Sequence, residues 1–168
     1  MSWTLRPETQ QDIEAIRRLH LAAFANHPYS RQTEHLIVAA LRETGALAIS
    51  RVAEVEGEVV GHIAFSEARL GADGPGWFLL GPVAVRPDHQ GQGVGRALIE
   101  AGLAELHLRG ARGCVLVGDP GFYNRFGFRS VAGVTCPGVP NENVLCLPLG
   151  EALPAGEVIH HPAFEIEA

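Results

Sequence analysis

Cysteine is scarce in this sequence and none of it lies in a C-x-x-C pair. Cys114, Cys136 and Cys146 make an odd set of three, which argues against a disulfide framework and against a zinc knuckle. They are expected to be reduced, mostly buried small residues. No stretch approaches the ~18 uninterrupted apolar residues of a membrane span. The opening Met1-Ser2-Trp3-Thr4-Leu5-Arg6-Pro7 lacks the apolar segment of a secretory signal. A cytoplasmic location is the expectation. Basic charge is also in deficit: 13 Lys and Arg stand against 19 Asp and Glu, a formal net charge of -6. Binding to a nucleic-acid backbone needs a concentrated basic face, so that class of partner is disfavoured, and amines or other cations suit the surface better. Low-complexity blocks and internal repeats are absent as well. What remains is a globular composition, 46% hydrophobic and 19% charged, in a chain of 168 residues. That length fits one domain able to enclose a core without disulfides or metal.

A short strand is expected near Trp3 to Arg6, and Ile13, Ile16, Leu19, Ala23 and Phe24 then recur at the spacing of one helical face. Thr9 with Asp12 resembles a capping box. Ser30 is a candidate cap for a second helix carrying Leu36, Ile37, Ala40 and Leu41 and closing at Gly45. Leu47 to Val55 and Glu58 to Glu67 read as antiparallel strands about the turn Glu56-Gly57. Leu70 to Gly76 reads as a loop, followed by a strand from Trp77 to Val85. A helix from Gly93 to Leu108 and a buried strand from Cys114 to Val117 come next. Asp119-Pro120 should open a short helix ending by Gly127. Strand-like stretches close the chain near Phe128 to Val134, Val144 to Leu149 and Val158 to Phe164. The order βααβββαβαβββ predicts a mixed α/β domain of α+β type, one central twisted mixed sheet flanked by helices, over residues 1–168.

The segment Val83-Ala84-Val85-Arg86-Pro87-Asp88-His89-Gln90-Gly91-Gln92-Gly93-Val94-Gly95-Arg96 carries the strongest chemical signal: a strand, a turn and a glycine-rich helix start. Glycines let several backbone N–H groups converge on one concave surface, and a helix N-terminus adds partial positive charge. That combination suits a pyrophosphate. A dinucleotide site of the Rossmann kind also joins strand, glycines and helix, but here the glycines run G-x-G-x-G, and a loop separates them from the strand. No Gly-Lys-Ser or Gly-Lys-Thr follows, which excludes a P-loop.

Gln90-x-x-Gly93-x-Gly95 resembles the Q/R-x-x-G-x-G/A motif of the GNAT superfamily of acetyl-CoA-dependent N-acetyltransferases. Gly118-Asp119-Pro120-Gly121-Phe122-Tyr123-Asn124-Arg125-Phe126-Gly127-Phe128 resembles the second GNAT signature, in the form seen in the YhbS-like bacterial subgroup. Leu80 to Val85 and the tail His160-His161-Pro162-Ala163-Phe164 are similar to that subgroup too, so the likeness spans most of the chain from Val60 onward. The resemblance implies that acetyl-CoA is the donor and that no metal is needed. It implies that the strand Val83-Ala84-Val85 holds the pantetheine arm through the backbone of Val83 and Val85. It further implies that amides from Gln90 through Gly91, Gln92, Gly93, Val94 and Gly95 to Arg96 hold the pyrophosphate, and that Gly118 lies against the cofactor. Pro82, which cannot donate a ladder hydrogen bond, fits a strand whose neighbour diverges. Many relatives carry an Asn where Gly118-Asp119-Pro120 stands.

Tyr123 falls where the family often places a tyrosine near the thioester sulfur, and a phenol can protonate a departing thiolate. The alternative is an aromatic that packs the short helix. Direct attack also needs a neutral amine. Strand four offers no carboxylate, which leaves His62, Glu67, His89, Asp119 or water as the base, with Asp119 equally readable as a cap, His89 as a solvated loop residue and His62 as a half-buried structural histidine. The expected function is acetyl transfer from acetyl-CoA to a primary amine of a small molecule or peptide. An acyl-CoA-binding regulatory domain without turnover is the alternative, and the apolar tail strand leaves a homodimer possible.

Overall fold

The computed structural model describes residues 2–151 and 153–167. Strand β1 (Thr4–Pro7) leads through a 3-10 turn into helix α1 (Ile13–Phe24). The capping box forms: the Thr9 amide donates to Asp12 Oδ2 at 2.7 Å and the Thr9 hydroxyl reaches the same oxygen at 3.1 Å. Arg6 clamps that carboxylate from the other side at 2.7 and 2.9 Å, and together these hold it well below the usual carboxylate range. Helix α2 (Glu34–Glu43) begins after Thr33, not at Ser30. The Ser30 hydroxyl bonds the Glu34 carboxylate and receives the Gln32 amide, so it ties the loop to the helix instead of capping it. Gly45 closes the helix at a φ of 73°.

Strands β2 (Leu47–Val55) and β3 (Glu58–Leu70) meet at Glu56-Gly57, whose φ values of 50° and 82° are those of the tightest hairpin turns. Strand β4 (Gly74–Val85), helix α3 (Val94–Leu108), strand β5 (Gly113–Val117) and helix α4 (Pro120–Tyr123) follow. Strands β6 (Arg129–Ser130), β7 (Val134–Thr135), β8 (Val144–Pro148) and β9 (Gly156–Ile159) complete the chain. The sheet order is β1-β2-β3-β4-β5-β8-β6, with β9 pairing β3 and β7. Parallel pairs (β4 with β5, β7 with β9) and antiparallel ones (β1 with β2, β5 with β8) coexist, so the fold is the mixed α/β expected.

Contacts group the chain into two units, Met1–Phe65, Gly81–Gly102 and Pro162–Ala168 in the first, Ser66–Leu80 and Leu103–His161 in the second. In the first, Ile16, Val38 and Val52 pack with Val59, and Ile37, Leu41 and Ala163 pack with Ala40, Leu47 and Phe164. Helix α3 lies close on β3. A Cβ at Gly61 would stand 2.8 Å from Val94, and one at Gly102 would stand 2.2 Å from the Phe65 ring. In the second unit β5 is central, paired with β4 over Trp77–Leu79 and with β8 over its whole length. The Trp77 ring lies on Gly113, where a Cβ would be 2.3 Å away. All three cysteines are free and buried, as expected.

Further boundaries differ from the sequence reading. Strand β3 runs past Glu67 to Leu70 because Arg69 and Leu70 pair with Ile159 and Val158 of β9, which shrinks the expected Leu70 to Gly76 loop to a turn at Gly71–Asp73. Phe128 to Val134 is no continuous strand: a turn closed by Val134 N to Val131 O at 3.0 Å separates β6 from β7. The final strand ends at Ile159, and Pro162–Glu165 is a 3-10 turn that sends Ala163 into the α2 cluster.

Candidate active site

Strand β4 hands the chain to Arg86, whose amide donates to Val60 O at 2.8 Å. The 3-10 turn Pro87–His89 follows, closed by His89 N to Arg86 O at 2.8 Å and fastened by the Gln90 side chain to Val85 O at 2.9 Å. Arg86 braces the turn through Asp88 at 2.7 Å and Glu58 at 3.1 Å. His89 is buried here, with Nδ1 3.0 Å from Asp88, and not the solvated loop residue expected, because the turn folds its ring inward.

Gly91 and Gly93 then take φ values of 75° and 92°. A Cβ at Gly91 would meet nothing within 4 Å and one at Gly93 only the Trp3 ring at 3.6 Å, so it is the left-handed backbone, and not crowding, that calls for glycine. The first helical bond runs from Ala97 N to Gly93 O at 3.0 Å. Among the described residues no backbone carbonyl accepts from the amides of residues 91–96. Gly91, Gln92 and Gly93 are exposed, while Val94, Leu98 and Ile99 anchor the helix in the core. The outcome is a rigid loop with a row of unpaired N–H donors at the positive end of a 15-residue helix. Those donors fit a diphosphate.

A second polar assembly, centred on two buried histidines, lies in the same unit. His62 of β3 is fully buried, and not half-buried as read from the sequence, and both of its ring nitrogens are bonded: Nδ1 to His20 Nε2 of α1 at 2.8 Å, Nε2 to the Ser50 hydroxyl of β2 at 2.8 Å. Ser50 in turn donates to the Glu8 carboxylate, which Arg42 of α2 grips at 2.9 and 2.9 Å. Burial pushes His62 down to about 3, with Arg42 adding to the effect, and takes His20 well below the ordinary imidazole value. Sequence reasoning missed His20. The available signal was a polar residue beside Leu19 on the apolar stripe of α1, where only a bonded histidine belongs.

In the second unit Asp119 caps α4, accepting from Gly121 N at 2.9 Å, as a helix cap should. Gly118 donates its amide to Asn143 O at 3.0 Å and accepts from Asn143 Nδ2 at 3.1 Å. Its missing side chain makes room for Tyr123, whose ring would lie 2.7 Å from a Cβ there. Tyr123 is packed edge-on against Phe122 at 4.9 Å and Phe128 at 6.1 Å. Burial, with Cys114 nearby, pushes its phenol up to about 12, so it keeps its proton at neutral pH. Glu67 of β3 is exposed. No group of metal-binding side chains occurs among the described residues, and no helix there is long and apolar enough to cross a membrane.

The family model for the acetyltransferase (GNAT) domain matches residues 46–130. The chain is 34% identical over 134 residues to the uncharacterized N-acetyltransferase YjhQ of Escherichia coli, covering 78% of this chain and 72% of that one. It is similar to the crystal structure of a GNAT family acetyltransferase from Brucella melitensis in complex with acetyl-CoA, at 46% identity and TM-score 0.86 over 97% of this chain and 98% of that one. It is also similar to YhbS from Escherichia coli in complex with CoA, at 31% identity and TM-score 0.88 over 98% and 92% of the two chains.

Proposed function

The chain belongs to the GNAT family of acetyl-CoA-dependent N-acetyltransferases, and from that premise we propose that it acts as one domain that transfers acetyl to a primary amine by direct attack on the thioester. The observation that carries this reading is the row of unpaired amides from residues 91 to 96, held in place by the Gln90 and Arg86 contacts. When bound, acetyl-CoA supplies an activated acyl carbon. Residues Gln90 to Arg96 bind its diphosphate, and the backbone of Val83, Ala84 and Val85 orients the pantetheine arm. That role suits a stretch of β4 lying beyond Trp77–Leu79, where its parallel ladder with β5 is formed. Gly118 lies against the cofactor, its backbone held by Asn143 and its missing side chain giving room to the Tyr123 ring. Tyr123 holds the proton that the departing thiolate takes.

A panel of amines, from amino acids to polyamines to peptide N-termini, tests this by release of free thiol from acetyl-CoA. Amine-dependent release with acetyl recovered on the amine nitrogen is the expected outcome. CoA binding without release for any amine would leave a regulatory acyl-CoA-binding domain in its place.

A further inference from the structure

The chain His20–His62–Ser50–Glu8–Arg42, buried at its histidine end and partly exposed at Glu8 and Arg42, has a direction that can be worked out atom by atom. Glu8 is gripped by Arg42 through both carboxylate oxygens and is therefore ionised, able only to accept. The single Ser50 hydroxyl proton goes to Glu8, so Ser50 Oγ must accept from His62, which fixes the His62 proton on Nε2. His62 Nδ1 is then a bare acceptor and receives the Nε2 proton of His20. The chain ends at His20 Nδ1, a lone pair in the interior with no protein partner among the described residues. Leaving such an acceptor unmet costs about 1–3 kcal/mol, so the site calls for a donor there, a water or a ligand group.

We propose that His20 Nδ1 is the proton acceptor of the acetyl-transfer reaction, reached by the amine directly or through one water. His62, Ser50 and Glu8 are positioning residues that keep that nitrogen bare. This rests on the acetyl-transfer reading above. As the amine nitrogen bonds to the acyl carbon, the C–S bond breaks, the nitrogen passes a proton to His20 Nδ1, and the thiolate sulfur takes a proton from Tyr123 or solvent. His20 stacks on Phe24 at 6.0 Å, Phe24 meets His27 at 5.7 Å, and His27 meets the exposed Tyr29 at 6.2 Å. These packed rings run from the buried histidine to the exposed Tyr29 beyond the end of α1. The charged and titratable groups that act on the pair are Glu8, which precedes α1, Asp12 at its start, and His35 and Arg42 of α2. Burial above all, with His62, His35 and Arg42 adding to it, disfavours an imidazolium, so His20 rests neutral.

The decisive variant is His20→Gln, whose side-chain amide can still donate to His62 but offers no basic nitrogen. Acetyl-CoA affinity should be unchanged, kcat/KM for the amine should fall by about 10²–10⁴, and activity should keep climbing with hydroxide where the wild type levels off. A purely structural histidine would leave the shape of the pH profile unmoved. Wild-type kcat/KM in folded His20→Gln overturns the proposal, while failure of the wild type to acetylate any amine sinks the function itself. Nitrogen NMR of the histidine rings gives a reading free of turnover and of mutant folding. Protons on Nε2 of both His20 and His62 are expected, with Ser50→Ala releasing that preference. A proton resident on His20 Nδ1 in the wild-type protein overturns the assignment.

Discussion

At the level of single residues, the groups that matter most are those whose charge state folding has moved. His20 and His62 are buried neutral, so the unfolded chain binds protons more readily than the folded one as pH drops below the ordinary imidazole value of about 6.5. Their contribution is complete above that pH and is lost progressively as pH falls toward the depressed folded-state values, about 3 for His62. Asp12 works in a lower window. Its pKa is depressed by Arg6, so its contribution is present above about pH 4 and is lost as pH falls further. Denaturant midpoints should therefore begin to fall below about pH 6.5, with a shallower slope in His20→Gln down to about pH 4. A flat profile across that interval would show that the histidines are not buried neutral. Asp12→Asn, which weakens the clamp to Arg6 and the capping box together, should cost about 1–3 kcal/mol at pH 7, measured by urea unfolding. Tyr123→Phe keeps the aromatic packing and removes only the hydroxyl. A turnover loss of about 10²–10⁴ with acetyl-CoA affinity preserved is expected if the phenol is the acid, and wild-type turnover at saturating donor returns Tyr123 to a packing role.

Among the elements, α3 does two things at once. Its N-terminus offers unpaired amides and its inner face lies so close to β3 that Gly61 and Gly102 have no space for a side chain. These demands separate by mutation. Gly93→Val puts a β-branched residue at a φ of 92°, which costs of the order of 1–3 kcal/mol locally and reshapes the amide row. CoA binding measured by calorimetry should be lost while the circular dichroism spectrum is retained. Gly102→Ala offers the opposite signature. Alanine gains about 1 kcal/mol of helix propensity, but its Cβ meets the Phe65 ring at 2.2 Å in a core where Phe65 has no exposed surface. Overpacking of that kind costs about 1–3 kcal/mol or more, so the net effect is a lower unfolding midpoint with CoA affinity close to wild type. A stabilised Gly102→Ala protein would show that α3 can slide away from β3.

For the molecule as a whole, binding and stability are linked. A ligand that binds only the folded chain adds about 2.7 kcal/mol at a hundred times its Kd, which for a chain of this size corresponds to a rise in Tm of roughly 5–11 °C. CoA should produce that rise in the wild type and none in Gly93→Val, by differential scanning calorimetry. The cations of the chain are all arginine: the sequence contains no lysine. Acetyl found on a lysine in any assay mixture therefore belongs to another protein, which makes mass spectrometry of candidate acceptors clean. The net charge of -6 favours approach of a cationic acceptor, an attraction that salt weakens.

What the sequence determined by itself is what chemistry between near neighbours can write. The Thr9–Asp12 capping box, the Glu56-Gly57 turn, the Asp119 cap and the Gln90 to Arg96 loop each close within a few residues, and each formed where its residue types required it. The glycine loop with its row of unpaired amides was legible for that reason: glycines at left-handed positions and a helix start are local facts. Strand ends were less so, because β3 stops where β9 stops pairing with it, and nothing within Glu67 to Leu70 announces a partner at Val158. The histidine chain lay furthest from view. His20 and His62 are 42 residues apart, Ser50 and His62 are 12 apart, and Arg42 reaches Glu8 across 34. Hydrogen bonds between such positions leave no period and no motif in the sequence, so only the packing of α1 and α2 with β2 and β3 decides which polar groups meet and which nitrogen is left bare.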